Sequence, residues 1–389
     1  MISKKLPAKI CVVITALFVS SFCYPQDGSG SSASPWQASL DDRLASARED
    51  ADVVGMGAVI MRNGKVLATS VNGRKSSDSD SPLNVSDKWH LGSISKSMTA
   101  TMLARLVEKD ILDWDLTLGE AFPEESSDIH RKWRRVTLEQ LLTHTSGAQR
   151  DLSMLASLYS PDEGVELMQE REKQVLKILS KAPESEPGSQ YRYSNIGYAI
   201  AGTVAEKLTG SSWESLMRTE LYAPLGIASG GFGAPDQSDQ NQPSGHKHFL
   251  GRTVKAGRED ELSSVIGPAG SVHMNLNDLM VYANSHIEGF RGNSNIISAQ
   301  NYKRLHTPIA NNYAYGWNIS SEISWSQSPI VWHAGSNGLW CAVLALLPDI
   351  NSAIAVTAND CNDTDQTFDS IWQLIEQSVI ALQQYPHVQ

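Results

Sequence analysis

Two pairs of apolar runs, one near each end of the chain, have the length and spacing of β-strands. Residues 53–61 and 65–71 form the first pair, and Asn63-Gly64 between them favours a tight hairpin turn. Residues 340–347 and 352–357 form the second pair, separated by a short segment that begins with a proline. Both pairs therefore predict β-hairpins that can join in one antiparallel sheet.

Helical spacing dominates between the hairpins. A short amphipathic helix is also expected near residues 40–48, and a longer helix follows the second hairpin. Strands from both ends with helices around them predict an α/β lobe, residues 37–92 and 263–389, beside an all-α lobe, residues 93–262. The apolar positions that predict the C-terminal helix are Phe368, Ile371, Trp372, Ile375, Val379 and Leu382.

The first residues have the pattern of an export signal. Three lysines precede an apolar run of ten residues that is too short to span a bilayer, so residues 1–23 are interpreted as a signal peptide. Residues 24–36 are rich in Gly and Ser and are expected to be a flexible leader to a single domain at 37–389. Residues 233–262 are polar and are interpreted as a long loop. The protein is thus expected to be secreted, into the periplasm of a bacterium.

Charge restricts the possible partners. The chain of 389 residues has a net charge of −11, which becomes −14 when the signal peptide and its lysines are removed. Such an acidic protein is not expected to bind nucleic acid or anionic lipid. No other apolar stretch is long enough to cross a membrane, and the sequence leaves the oligomeric state open.

Cys341 and Cys361 are the only cysteines well inside the mature chain. They lie near the outer ends of the second predicted hairpin, which would bring them close enough to form a disulfide in an oxidising compartment. Two free, buried thiols are the alternative.

Ser93-Ile94-Ser95-Lys96 opens a helix whose later apolar residues predict burial. One helical turn separates Ser93 from Lys96, so their side chains are neighbours. A buried lysine can lose its proton near neutral pH and then accept the serine proton. The N–H groups of the first helical turn have no partner within the helix, so the N–H of Ser93 can face a developing oxyanion.

Two later motifs supply the remaining candidate groups. In Tyr193-Ser194-Asn195, which leads from a turn into an apolar helix, the phenol can shuttle a proton and the amide can donate to the substrate. The second motif, His333-Ala334-Gly335-Ser336, is predicted on a strand, where Gly335 would allow close approach of the substrate and the N–H of Ser336 would be the second oxyanion donor. Ser244-x-x-Lys247 and Tyr282-x-Asn284 repeat two of the motifs, the first in a polar segment and the second within a helix, and neither is assigned to the site.

In this order the motifs resemble those of the penicillin-recognising serine hydrolases, namely class C β-lactamases, D,D-peptidases and related esterases. The resemblance covers residues 40–382 and implies a two-lobed fold, α/β plus all-α, with the site between the lobes. It also implies that Ser93 is acylated, with Lys96 as base partner and no metal or organic cofactor. The partner that it implies is a small-molecule or peptidoglycan-derived substrate. The shared segments, in chain order, are LGSISKSMTA, LLTHTSG, YSN, YAPLG, PAG and HAG.

One motif departs from the class C pattern, because His333-Ala334-Gly335 replaces Lys-Thr-Gly. A histidine is mostly neutral at pH 7, whereas a lysine is charged and attracts a substrate carboxylate. This difference favours esterase-like or peptidase-like activity over strong β-lactam turnover. If His333 binds a carboxylate, turnover of acidic substrates is expected to fall above about pH 7.

The sequence is compatible with four other interpretations. A protein that binds penicillin or cell-wall fragments, and is acylated with little turnover, would keep the same residues. A metallohydrolase would have to use His246 and His248, around which no further ligand has zinc-site spacing. An α/β-hydrolase would need Gly-x-Ser-x-Gly, which Gly335-Ser336-Asn337-Gly338 does not match. His144 as a triad base is less favoured than a structural role at a glycine-capped helix end.

Overall fold

A six-stranded antiparallel sheet is built from both ends of the chain, in the order β2-β1-β11-β10-β9-β8. The computed structural model describes residues 34–152, 161, 163–293 and 296–385. The predicted signal peptide lies outside these residues. The strands of this sheet are β1 (Gly55–Arg62), β2 (Lys65–Gly73), β8 (Asn318–Ser320), β9 (Ile330–Ser336), β10 (Cys341–Leu347) and β11 (Ser352–Ala358).

The two predicted hairpins are confirmed, and they pair with each other through β1 and β11. Asn63 and Gly64 have φ values of 50° and 73°, the left-handed conformations that a two-residue hairpin turn requires. Along β10, residues alternate between two buried clusters, with Val343 facing one and Leu344 the other. Burial on both faces explains why these strands are continuous apolar runs in the sequence.

Helices cover both faces of the sheet. Helices α1 (Pro35–Ala51) and α13 (Thr364–Gln384) pack on one face and α11 (Leu276–Phe290) on the other, and the remaining helices lie mainly between residues 90 and 272 in the sequence. The longer helices are α1 (Pro35–Ala51), α2 (Ser95–Glu108), α5 (Val165–Leu179), α6 (Asn195–Thr209), α11 (Leu276–Phe290), α12 (Ala299–Leu305) and α13 (Thr364–Gln384). The short ones are α3 (Leu118–Ala121), α4 (Leu138–Leu142), α7 (Trp213–Leu216), α8 (Ala223–Leu225), α9 (Pro235–Ser238) and α10 (Gly267–Gly270). None of the helices in the described ranges has the length and apolar content to span a bilayer.

Two boundary predictions are wrong. Helix α1 begins at Pro35, capped by the Ser34 hydroxyl, so the last two residues of the predicted leader are helical. The predicted loop at 233–262 contains a hairpin of its own, β5 (His246–Phe249) and β6 (Arg252–Lys255). Its turn places Leu250 at φ 49° and Gly251 at φ 75°. These short strands are mostly polar because they lie at the surface, so they lack the apolar signal used to predict strands.

The remaining strands are β3 (Lys88–His90), β4 (Gly231–Phe232) and β7 (Val272–Asn275), which form a small sheet in the order β3-β7-β4. Cys341 and Cys361 form a disulfide, with their Cα atoms 5.4 Å apart. The disulfide alternative left open by the sequence is therefore the one found in the structure.

Candidate active site

The Ser93 hydroxyl lies 3.0 Å from the Lys96 amine at the start of helix α2. Ser93 sits in a 3₁₀ turn, Gly92–Ile94, that runs directly into the helix. Gly92 has φ 51°, which suits glycine, and this sharp entry leaves Ser93 partly exposed. Lys96 is fully buried. The predicted neighbours are thus in contact, one accessible and the other enclosed.

The surroundings of Lys96 favour a neutral amine. Burial lowers the pKa of Lys96 well below its usual value, with a smaller lowering contribution from Arg150 and an opposing one from Asp151. The amine nitrogen also lies 2.7 Å from Asn195 Oδ1 and 2.7 Å from the carbonyl oxygen of Ala269. A neutral amine has two N–H donors and one lone pair. It can donate to these two oxygens and direct the lone pair at the Ser93 hydroxyl.

Tyr193 completes the group around the serine. Its ring centroid lies 4.8 Å from Lys96 Nζ, and its phenol interacts with the Ser93 side chain. Burial raises the pKa of the Tyr193 phenol, an effect that the interaction with Ser93 only partly offsets. The phenol is therefore protonated at neutral pH, and Lys96 is the better proton acceptor of the two.

His144 holds the Tyr193 segment in place. Its Nδ1 accepts from the backbone N–H of Ser194 at 3.1 Å, and its carbonyl oxygen accepts from the N–H of Arg192 at 2.7 Å. The imidazole also lies against Tyr193, with ring centroids 4.3 Å apart. Burial lowers the pKa of His144 well below its usual value, so the ring is neutral. These contacts make His144 a positioning residue, in line with the structural role preferred from the sequence.

Asn195 begins helix α6 and bridges the lysine to an acid that sequence analysis missed. Its Oδ1 accepts from Lys96, and its Nδ2 donates to Asp151 Oδ1 at 2.5 Å. The amide that was expected to bind the substrate thus already has a partner in the free protein. Asp151 carried no sequence signal, because it belongs to no motif and lies 44 residues from Asn195.

Strand β9 packs directly against the serine turn. A Cβ atom on Gly335 would lie 2.7 Å from the backbone N of Ser93, and one on Gly92 would lie 2.6 Å from the backbone N of Ser336. The two N–H groups predicted as oxyanion donors are therefore brought together. Gly335 was expected to allow close approach of the substrate, but here its lack of a side chain is needed for the close approach of two protein segments.

His333 is buried on β9, and its environment differs from the one expected. Its Nδ1 lies 2.6 Å from the carbonyl oxygen of Gly316 and must be the donor. Burial, with a smaller effect from Lys96, lowers the pKa of His333 to about 3. The imidazole is then neutral well below pH 7, so the expected loss of activity towards acidic substrates near pH 7 does not follow from His333.

The other sequence candidates lie outside this group. Tyr282 is buried in α11 and donates to Ser97 Oγ at 2.9 Å, which is a packing role. In the rival zinc interpretation, His246 would be a ligand, but its Nδ1 lies 2.6 Å from the Asn359 carbonyl oxygen and its Nε2 accepts from the N–H of Ser77. Both ring nitrogens of His246 are thus already used by the backbone. Ala269 was missed because a backbone carbonyl carries no residue-type signal.

The antiparallel sheet, the adjoining helices and the serine–lysine turn define the class as β-lactamase/transpeptidase-like. The chain belongs to the β-lactamase family, whose sequence model matches residues 40–376. The fold is similar to that of "A class C beta-lactamase", with a TM-score of 0.71 and 18% identity, covering 88% of this chain and 98% of that one.

Two curated relatives also match most of this chain. Penicillin-binding protein 4 of Amycolatopsis lactamdurans is 24% identical over 69% of this chain and 71% of its own length. Protein flp of Staphylococcus aureus (strain COL) is 20% identical over 83% of this chain. The match spans only 63% of the length of protein flp.

Proposed function

We propose that this protein is an exported serine hydrolase that cleaves amide or ester bonds through an acyl-enzyme on Ser93. The observation that carries the proposal is the Ser93–Lys96 pair, in which a buried amine lies 3.0 Å from a partly exposed hydroxyl. Tyr193, beside both groups, supports it. Membership of the β-lactamase family makes a β-lactam, a D-alanyl peptide or a short acyl ester the candidate substrates.

In the first half-reaction, the Ser93 oxygen attacks the substrate carbonyl carbon while its proton passes to Lys96, directly or through Tyr193. The carbonyl oxygen becomes an oxyanion between the N–H groups of Ser93 and Ser336. Collapse of this intermediate breaks the bond to the leaving group. The leaving group takes a proton from the same lysine–tyrosine pair, which leaves the acyl group on Ser93 and the amine neutral again.

In the second half-reaction, water attacks the acyl carbon and gives a proton to the lysine–tyrosine pair. Ser93 recovers its proton when it leaves, and the acid product departs. Acylation and turnover are separate properties: a protein that completes only the first half would be a binding protein for penicillin or cell-wall fragments.

The decisive experiment compares wild type with Ser93→Ala on a chromogenic cephalosporin, a p-nitrophenyl ester and a D-Ala-D-Ala peptide. Wild type is expected to turn over at least one of them and to show an acyl adduct on Ser93 by mass spectrometry, whereas Ser93→Ala shows neither. Ser86→Ala, at an exposed serine, is the matched control. Full activity in Ser93→Ala would refute the proposal, and a single burst without turnover would favour the binding protein.

A further inference from the structure

A carboxylate that the proposed reaction does not use is hydrogen-bonded to the residue that follows one of the proposed oxyanion donors. Asn337 follows Ser336 directly at the end of β9, and its Nδ2 donates to Glu261 Oε2 at 3.0 Å. Asn337 is itself held in place, because its Oδ1 accepts from the backbone N–H groups of Leu339 and Trp340. Glu261 is thus fixed to the turn that carries one of the two N–H groups.

Glu261 differs from the acids next to it in having no lysine partner. Asp260 is paired with Lys247 at 2.5 Å, and Asp236 with Lys255 at 3.1 Å. Within the described residues, no lysine or arginine nitrogen lies within 4.0 Å of the Glu261 carboxylate, which accepts a hydrogen bond from the neutral Asn337 amide. Glu261 is half-buried. A half-buried carboxylate without a counter-ion is less favourable than a paired one, so a cation supplied from outside would be stabilised there.

The same segment reaches the serine turn. Leu262 is 40% exposed, and its Cδ1 lies 3.7 Å from where a Cβ atom on Gly270 would be. That Cβ position is 3.9 Å from the carbonyl carbon of Gly92, the residue before Ser93. The distance from the Ser336 nitrogen to the Glu261 carboxylate is at most about 12 Å. This limit is the sum of one residue step along the backbone, the length of the Asn337 side chain and the hydrogen bond to Glu261.

We propose that Glu261, held by Asn337 next to the turn that carries Ser336, binds an ammonium group of the substrate. The inference rests on the proposed function and specifies its substrate class: acyl compounds that carry a cationic amine a few bonds from the carbonyl under attack. The exposed Leu262 side chain next to Glu261 can pack against the methylene groups between the amine and the carbonyl.

The pH dependence of this preference follows from the state of Glu261. Burial, with a contribution from Asp236, raises the pKa of Glu261 to about 7. Below that pH the carboxyl group is mostly neutral and attracts an ammonium group weakly. The preference for a cationic substrate should therefore increase as pH rises through about 7.

The test compares two p-nitrophenyl esters of equal chain length, the 6-aminohexanoate and the heptanoate, on wild type, Glu261→Gln and Glu259→Gln. The measured quantity is the ratio of kcat/KM for the amino ester to that for the neutral ester. Glu261→Gln is expected to lower this ratio about tenfold at pH 8 and to abolish its rise with pH. Glu259→Gln removes the same charge at an exposed position two residues away and should leave the ratio unchanged.

An unchanged ratio in Glu261→Gln, or an equal fall in Glu259→Gln, would overturn the inference. Binding to Ser93→Ala separates this result from the proposed function, since it needs no turnover. In calorimetry, Ser93→Ala should bind the amino ester more tightly than the heptanoate, and Ser93→Ala/Glu261→Gln should not. If the esters are not hydrolysed but this difference is found, the proposed activity fails and the ammonium site stands. If Ser93→Ala binds both esters equally, the ammonium site is refuted.

Discussion

At the scale of single residues, the chemistry depends on the charge state of Lys96. Its burial excludes water, and its two firm acceptors, Asn195 Oδ1 and the Ala269 carbonyl oxygen, are both neutral. Among the residues that the structure describes, no carboxylate is in direct contact with the amine, although Asp151 is hydrogen-bonded to Asn195. An amine in such a place loses its proton far more readily than one on the surface.

Replacing Lys96 tests its role as the base. Lys96→Ala is expected to lower kcat/KM by about 10² to 10⁴, the usual contribution of a general base. Lys96→Arg is expected to be similarly impaired, because a guanidinium keeps its proton and cannot accept one. The measurement is steady-state hydrolysis of the best substrate, with exposed Lys65→Ala as control. An active Lys96→Arg enzyme would contradict the assignment.

The charges near Lys96 should set the acid limb of the pH–rate profile. Asp151 raises the pKa of Lys96 and Arg150 lowers it. Asp151→Asn should thus lower this pKa and keep the enzyme active to a more acidic pH. Arg150→Gln should raise it and move the limb the other way. Shifts of kcat/KM profiles in the same direction for both variants would show that another group controls the limb.

At the scale of elements, a buried cation ties the helices that support the site. Arg171 in α5 is fully buried; it contacts Glu206 in α6 and lies 2.6 Å from Glu214 in α7. It also donates to the carbonyl oxygens of Val265 and Ser264, in the segment that leads to Ala269. Helix α6 begins with Asn195, and residues 264 and 265 lead to Ala269. The Arg171 side chain therefore connects the segments that carry both acceptors of the Lys96 amine.

Arg171→Met should therefore destabilise the protein by about 3–5 kcal/mol, the usual effect of leaving buried charges without a partner. Burial already raises the pKa of Glu206 to about 7, despite the opposing effect of Arg171. A carboxyl group whose pKa is higher in the folded than in the unfolded protein holds its proton more tightly when folded. The free-energy cost of burying it therefore grows as pH increases. The loss should be larger at pH 8 than at pH 5.

Urea denaturation at both pH values measures this loss. Arg218→Met, which breaks the exposed pair with Glu163, is the control and should cost at most about 1 kcal/mol. Equal stability of Arg171→Met and Arg218→Met would contradict the argument.

At the scale of the whole molecule, local patterns were sufficient for the main elements and for part of the site. Apolar runs predicted β1, β2, β10 and β11, helical spacing predicted α2 and α13, and one helical turn placed Lys96 beside Ser93. Contacts between distant segments were predictable only where a motif marked both partners, because a single sequence contains no other record of them. Asp151, the Ala269 carbonyl group and Glu261 reach the site only through folding, as does the packing that makes His333 neutral.

The disulfide connects the stability of the whole chain to the compartment in which it works. Cys341 and Cys361 are 20 residues apart, and closing a loop of that length restricts the unfolded chain by about 3 kcal/mol. Cys361 Sγ also lies 3.3 Å from the hydroxyl of Ser336, next to the proposed oxyanion donor. Export to an oxidising compartment, as the N-terminal sequence predicts, would allow the disulfide to form. The disulfide would then stabilise the fold and hold Cys361 against Ser336.

Protein with the disulfide reduced should therefore unfold at lower urea concentration than oxidised protein, with a difference of about 3 kcal/mol in unfolding free energy. The Cys341→Ala/Cys361→Ala variant should resemble the reduced protein and be insensitive to reductant. Its kcat/KM should fall as well if the disulfide holds the Ser336 turn in place. If oxidised and reduced wild type have the same unfolding free energy, the crosslink makes no contribution to stability. The variant should in that case be as stable as wild type.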